Sequence, residues 1–126
     1  MKKMIFALLI GMMLIGFTSP APAFAAQSTG EATITITEVI PTFILFDFSW
    51  SDIPTYSYRI SVFHNNDLVQ VNDFPLERKT TSFDAPTAGI IWPNYGPGDF
   101  TLQLDLFDRN GNLLKSVSDT ILNVGF

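Results

Sequence analysis

Apolar and polar residues alternate with a period of two along most of the chain after residue 30, and the strongest alternation lies between Thr42 and His64. In the first run Ile44, Phe46, Phe48 and Trp50 share a face. In the second, Tyr56, Tyr58, Ile60 and Val62 do. Side chains two residues apart point to the same side of a strand, so each run predicts a strand with one buried face. Ser51, Asp52 and Pro54 separate the two. The second face of the first run begins with Phe43 and Leu45, which are expected either to lie under a neighbouring segment or to form a contact surface.

The same pattern extends in both directions. Ala32, Ile34 and Ile36 alternate with Thr33, Thr35 and Thr37, and the apolar phase then shifts to Val39 and Ile40. Alternating threonine suits a half-exposed strand, and Pro41, with no N–H to donate, ends it. Asn65-Asn66-Asp67 predicts a hairpin leading into a fourth strand, Leu68 to Val71, closed by Asn72, Asp73 and Pro75. The charged segment from Leu76 to Thr80 reads as loop or edge strand, and Thr81 to Phe83 as a short strand. Asp84 to Asp99 carries three prolines and three glycines and is expected to be the longest irregular stretch. Phe100, Leu102, Leu104 and Leu106 line one face of a further strand, and Asn110-Gly111 predicts a type I′ turn. Leu113 to Val124 forms the last strand, or two short ones with a break near Ser118 and Asp119. About seven strands at spacings of about 8–12 residues predict an all-β, antiparallel β-sandwich.

The first 25 residues stand outside this pattern. Lys2 and Lys3 precede an apolar run from Met4 to Phe17, and Ala23-Phe24-Ala25 follows. A basic start, an apolar core and an A-x-A site describe a secretory signal peptide cleaved after Ala25. Residues 26–126 would then form one exported domain in a periplasm, at a cell surface or in the medium. The apolar run is shorter than the ~18–20 residues that span a bilayer, so no stable membrane insertion is expected after cleavage.

Composition narrows the partners. Twelve acidic residues against seven basic give the chain a net charge of −5, and loss of Lys2 and Lys3 would make it −7. Nucleic acid and anionic membrane surfaces need a positive patch, so neither is an expected partner. The chain has no cysteine, so neither a disulfide nor a lipid-bearing cysteine is available. Stability must come from the core, to which twelve Phe, two Trp and three Tyr contribute.

The chemistry is sparse. His64 is the only histidine, and no Gly-x-Ser-x-Gly elbow accompanies it. A Ser–His–Asp arrangement would need that histidine as base, and it falls at a strand end beside a turn. No enzyme activity, metal or cofactor is expected. Asp108, Asn110 and Asn112 alternate oxygen ligands as a calcium loop does. The sixth position is Leu113 rather than Gly, so they read as a turn. The best candidates for binding are Ile90, Ile91, Trp92 and Tyr95 in the stretch before Phe100. Trp92 and Tyr95 could form a platform for a glycan or an anchor for a protein partner, and the loop from Asp84 to Asp99 could act as an inserted segment inhibiting a secreted hydrolase. Alternatively Ile90, Ile91 and Trp92 fold back as a lid on the core.

Several of these residues resemble a known family. Ser49-Trp50, a short Pro-containing turn and Tyr58-Arg59-Ile60-Ser61-Val62 resemble the second and third strands of fibronectin type III domains. Tyr95-Gly96-Pro97-Gly98-Asp99-Phe100 and the alternation to Leu104 resemble the family's Pro-Gly turn and sixth strand. Asp108 to Gly111 resembles the loop before its last strand. The resemblance, from Ala32 to Val124, implies a seven-stranded immunoglobulin-like sandwich with a non-catalytic binding or spacer role. It carries no ligand site across, because the family's ligand motifs lie in loops, and no Arg-Gly-Asp is present. Phe100 stands where the family usually has Tyr, so the phenol hydrogen bond of a tyrosine corner is missing.

Overall fold

The computed structural model describes residues 30–126, and the expected signal peptide with its cleavage site lies outside the described residues. Eight strands follow in order: β1 (Glu31–Val39), β2 (Phe43–Ser51), β3 (Thr55–His64), β4 (Asp67–Thr80), β5 (Phe83–Asp84), β6 (Ala88–Ile91), β7 (Gly98–Phe107) and β8 (Leu113–Val124). They form two antiparallel sheets. In the first, β2 pairs β1 on one side and both β5 and β6 on the other. The second has the order β4-β3-β7-β8. One hydrophobic core draws residues from both, which makes the fold β-sandwich-like.

The expected inward faces are in place. Ile44, Phe46, Phe48 and Trp50 of β2 are buried, as are Ile60 and Val62 of β3. Phe100, Leu102, Leu104 and Leu106 of β7 are completely enclosed. Burying each such side chain contributes about 1.5–3 kcal/mol. Tyr56 departs from the expected face: the Arg109 guanidinium lies 5.3 Å over its ring, while Ile53 and Thr55 point into the core before it. The phase shift in β1 is a β-bulge. Ile36 pairs Phe46 and Glu38 pairs Leu45, leaving Thr37 as the extra residue. A bulge inserts one residue on one strand and so moves the apolar phase by one.

Three further expectations need correction. The fourth strand does not end at Asn72–Pro75 but runs through them to Thr80. Pro75 is tolerated because, among the described residues, β4 is an edge strand of its sheet and its outer side needs no N–H donor. The stretch from Asp84 to Asp99 is not all irregular. Ala88–Ile91 pairs with β2, Ile90 opposite Ile44, and Trp92–Asn94 forms one 3-10 turn. Since β5 occupies only Ser49 and Trp50, the rest of that edge of β2 is open to β6. The hairpin at Asn110-Gly111 is not type I′, because only Gly111 of the pair has a positive φ, 84°. By contrast Asn65 and Asn66, at φ 51° and 72°, make the two-residue β3–β4 turn with the I′ sign at both positions.

Candidate functional site

The segment from Ala88 to Asp99 closes one end of the core. Ile90 is buried opposite Ile44, while Ile91, next along β6, is 45% exposed on the outer face. Trp92 is half-buried, and its indole N–H donates to the carbonyl of Ile40 at 2.9 Å. Gly125 packs so tightly on that indole that a Cβ there would lie 3.0 Å from Cζ3. The Tyr95 hydroxyl donates to Oε1 of Gln70 on β4 at 2.6 Å. Its ring sits 6.4 Å from that of Phe100 and 6.3 Å from that of His64. Both aromatic polar atoms therefore face internal partners. Of the four candidates, Ile91 presents the most free surface, and Ile90, Trp92 and Tyr95 pack on the core.

His64 is held at the same end. Its Nε2 lies 3.0 Å from the Pro97 carbonyl, and its ring is 4.8 Å from Phe100. Asn65 braces the neighbouring turn: its backbone N–H donates to the Asp99 carbonyl, and its side-chain oxygen accepts from the Asp99 N–H. Among the described residues no group of three His, Cys, Asp or Glu side chains is placed to hold a metal ion. Asp108 is committed to its turn, accepting from the backbone N–H groups of Asn110 and Asn112 at 2.8 Å each. Slight burial works to raise its pKa, but the hydrogen bonds from Asn112, Asn110 and Gly111 outweigh that and hold it below the ordinary carboxylate value.

The structure exposes two further surfaces that the sequence pattern did not single out. The first is β4, fourteen residues long at the edge of its sheet, where Leu68, Val71 and Phe74 are all exposed. Phe74 stacks on Tyr58 at 4.8 Å with the rings 18° apart. A bulge between Val62 and Phe63 of β3 and Leu68 to Gln70 of β4 brings Leu68 and Val71 onto the outer face, opposite Phe63 and Ser61, while Phe74 lies opposite Tyr58 on the other face, so no single period in the sequence links the three. The second is a groove over β1, β2 and β5, lined by Glu31, Thr33, Ser49 and Asp84 among others. Its residues are far apart in the chain, and only the strand register joins them.

The outer face of the β4-β3-β7-β8 sheet carries a charged row. Arg59 donates to Asp73 across β3 and β4 at 2.6 Å, and Asp105 lies opposite Arg59 on β7. Asp105 is buried although it points away from the core. It accepts from Ser116 Oγ at 2.5 Å and from Gln103 Nε2 at 3.1 Å. Burial pushes its pKa above the ordinary value, against the lowering pull of Ser116, Gln103 and Arg59.

No protein-family model, curated protein or solved structure matches this chain.

Proposed function

We propose that the chain is an exported, non-catalytic interaction module with a fibronectin type III-like sandwich, and that it binds a protein partner along β4. The observation that carries this reading is the exposure of Leu68, Val71 and Phe74 on one sheet-edge strand. An edge strand offers unpaired N–H and C=O groups to an extended segment, and flanking apolar side chains add specificity. Pro75 and the irregular pairing beyond it confine this recognition to the part of β4 before Pro75. The partner supplies an extended, apolar segment that joins the sheet as a fifth strand.

Two further observations support a module without catalysis. The one histidine is occupied with Pro97, and the Asp108 carboxylate with its own turn. The fibronectin-like part of the reading is supported by Trp50 closing β2 and Tyr58 to Val62 in β3, with β3 continuing the chain into the second sheet.

A photo-crosslinking residue placed at Val71, with Thr35 on the opposite sheet as control, tests the reading in the exporting cell. A discrete protein adduct is expected from position 71 alone. A Leu68→Ser/Phe74→Ser variant of the same probe, with its melting temperature retained, should lose the adduct. Equal adducts from both positions, or none from 71, would overturn the proposal.

A further inference from the structure

We propose that the groove across the outer face of β1, β2 and β5 is a binding site for an uncharged saccharide. Its volume is about 480 Å³, inside the range of small-molecule sites. The register builds it from two rows. Thr33, Ser49 and Asp84 stand side by side on β1, β2 and β5, and Glu31 stands beside Ser51 in the next row. Neighbouring strands are ~4.8 Å apart, so the first row spans roughly 10 Å, about the width of one sugar ring with its hydroxyls.

The chemistry of the lining selects the ligand class. The hydroxyls of Thr33, Ser49, Ser51 and Ser82 can each donate and accept, and the carboxylates of Glu31 and Asp84 accept only. A polyol offers the matching mixture of donors and acceptors. Among the described residues no Lys, Arg or His lines the groove, so a phosphate, sulfate or uronate would meet two carboxylates without a counter-charge. A small cation fits no better. Glu31 and Asp84 stand on the two outer strands with β2 between them, so a point charge meets one at a time, whereas a sugar ring reaches both.

The site is also held rigidly. Thr33 Oγ1 and Ser49 Oγ lie 3.1 Å apart, already aligned as a hydrogen-bonded pair. Trp50 and Phe83, which complete the lining, pack with ring centroids 5.1 Å apart, and the Trp50 indole N–H is anchored on the Thr80 carbonyl at 3.0 Å. Polar groups fixed on strands lose little freedom on binding. This differs from the platform expected at Trp92 and Tyr95, whose polar atoms already have internal partners. The groove does not involve β4, so the proposal stands apart from the protein-binding reading.

The test is a titration of the processed protein, followed by backbone amide NMR, with cellotetraose, mannotetraose and N-acetylchitotetraose, and with a heparin tetrasaccharide as anionic comparator. At least one neutral tetrasaccharide should give saturable shifts centred on Thr33, Ser49 and Asp84, with Kd on the order of millimolar for so open a groove. Glu31→Ala and Asp84→Ala, both at exposed positions, should each weaken binding about tenfold, equivalent to roughly 1.4 kcal/mol, with the melting temperature kept. Trp92→Phe should leave it unchanged. Absence of saturable shifts with all three neutral sugars would overturn the proposal. So would shifts centred on Trp92 and Tyr95, equal binding of the heparin fragment, or affinity indifferent to both carboxylate variants.

Discussion

The Asp119 carboxylate on the last strand accepts a hydrogen bond from the backbone N–H of Ile36 on the first, at 2.8 Å and 83 residues apart in the chain. The two strands belong to different sheets, so one side chain ties the edge of the first sheet to the edge of the second. The N–H it satisfies lies at the bulge of β1, where the ladder to β2 slips by one residue. Asp119→Ala leaves that partly buried donor without a partner, which costs about 1–3 kcal/mol. Asp119→Asn keeps an acceptor oxygen and should retain most of the stability. Urea unfolding measures the loss, and faster amide exchange at Ile36 in the alanine variant alone would locate it. Equal stability of all three proteins would mean that the contact contributes nothing.

Trp92 offers a second measurement. Its indole N–H is bound to Ile40 and its ring is half-buried, whereas Trp50 is almost wholly enclosed. Trp92→Phe keeps an aromatic ring but leaves the Ile40 carbonyl without that donor, at a cost of about 1 kcal/mol. The variant's remaining emission comes from Trp50 alone. It should be blue-shifted relative to the parent protein and resist acrylamide. Strong quenching of the single-tryptophan variant would contradict the enclosure of Trp50.

The division between what the sequence displays and what it hides follows from the reach of each interaction. Burial on one face of a strand repeats every second residue, so β2 and β7 are legible from Ile44 to Trp50 and from Phe100 to Leu106. The bulge at Thr37 is legible too, because it shifts the apolar phase. The continuation of β4 past Pro75 is not, since proline at an edge and proline ending a strand leave the same local signal. Strand β6 was hidden among prolines and glycines because its pairing is set by the open edge of β2, some 45 residues away. The groove is invisible in sequence for the same reason: Thr33, Ser49 and Asp84 become neighbours only through register.

The core carries the stability of a cysteine-free chain, and its cost of disruption should be correspondingly large. Leu104 is fully enclosed in the middle of β7, opposite Ile60 on one side and Val117 on the other. Leu104→Ala removes buried methyl groups and leaves a cavity, costing about 2–5 kcal/mol. Against a total of about 5–15 kcal/mol for a typical domain, that is a large fraction. Leu122→Ala, at an exposed position of β8, should change stability by no more than about 0.5 kcal/mol. Denaturant midpoints of the two variants give the contrast directly. Similar losses would show that the inward and outward faces of these strands are not energetically distinct.

Asp105 and Asp108 predict opposite responses to pH. Burial raises the pKa of Asp105 in the folded chain, so folding favours its protonated form. Its contribution is therefore most favourable at low pH and is lost as pH rises from the unfolded carboxylate value through the raised folded one. The turn hydrogen bonds lower the pKa of Asp108, so its contribution is present above the unfolded value and is lost as pH falls through the lowered folded one. Asp105→Asn removes a carboxylate that is costly to ionise, while its side-chain oxygen can still accept from Ser116. Measured against the parent, this variant should gain relative stability as pH is raised from 3 to 7. Asp108→Ala should lose relative stability over the same range, because the parent gains its turn carboxylate there. Denaturant unfolding at a series of pH values separates the two slopes. Parallel curves for Asp105→Asn and the parent would mean that Asp105 is not desolvated on the sheet face.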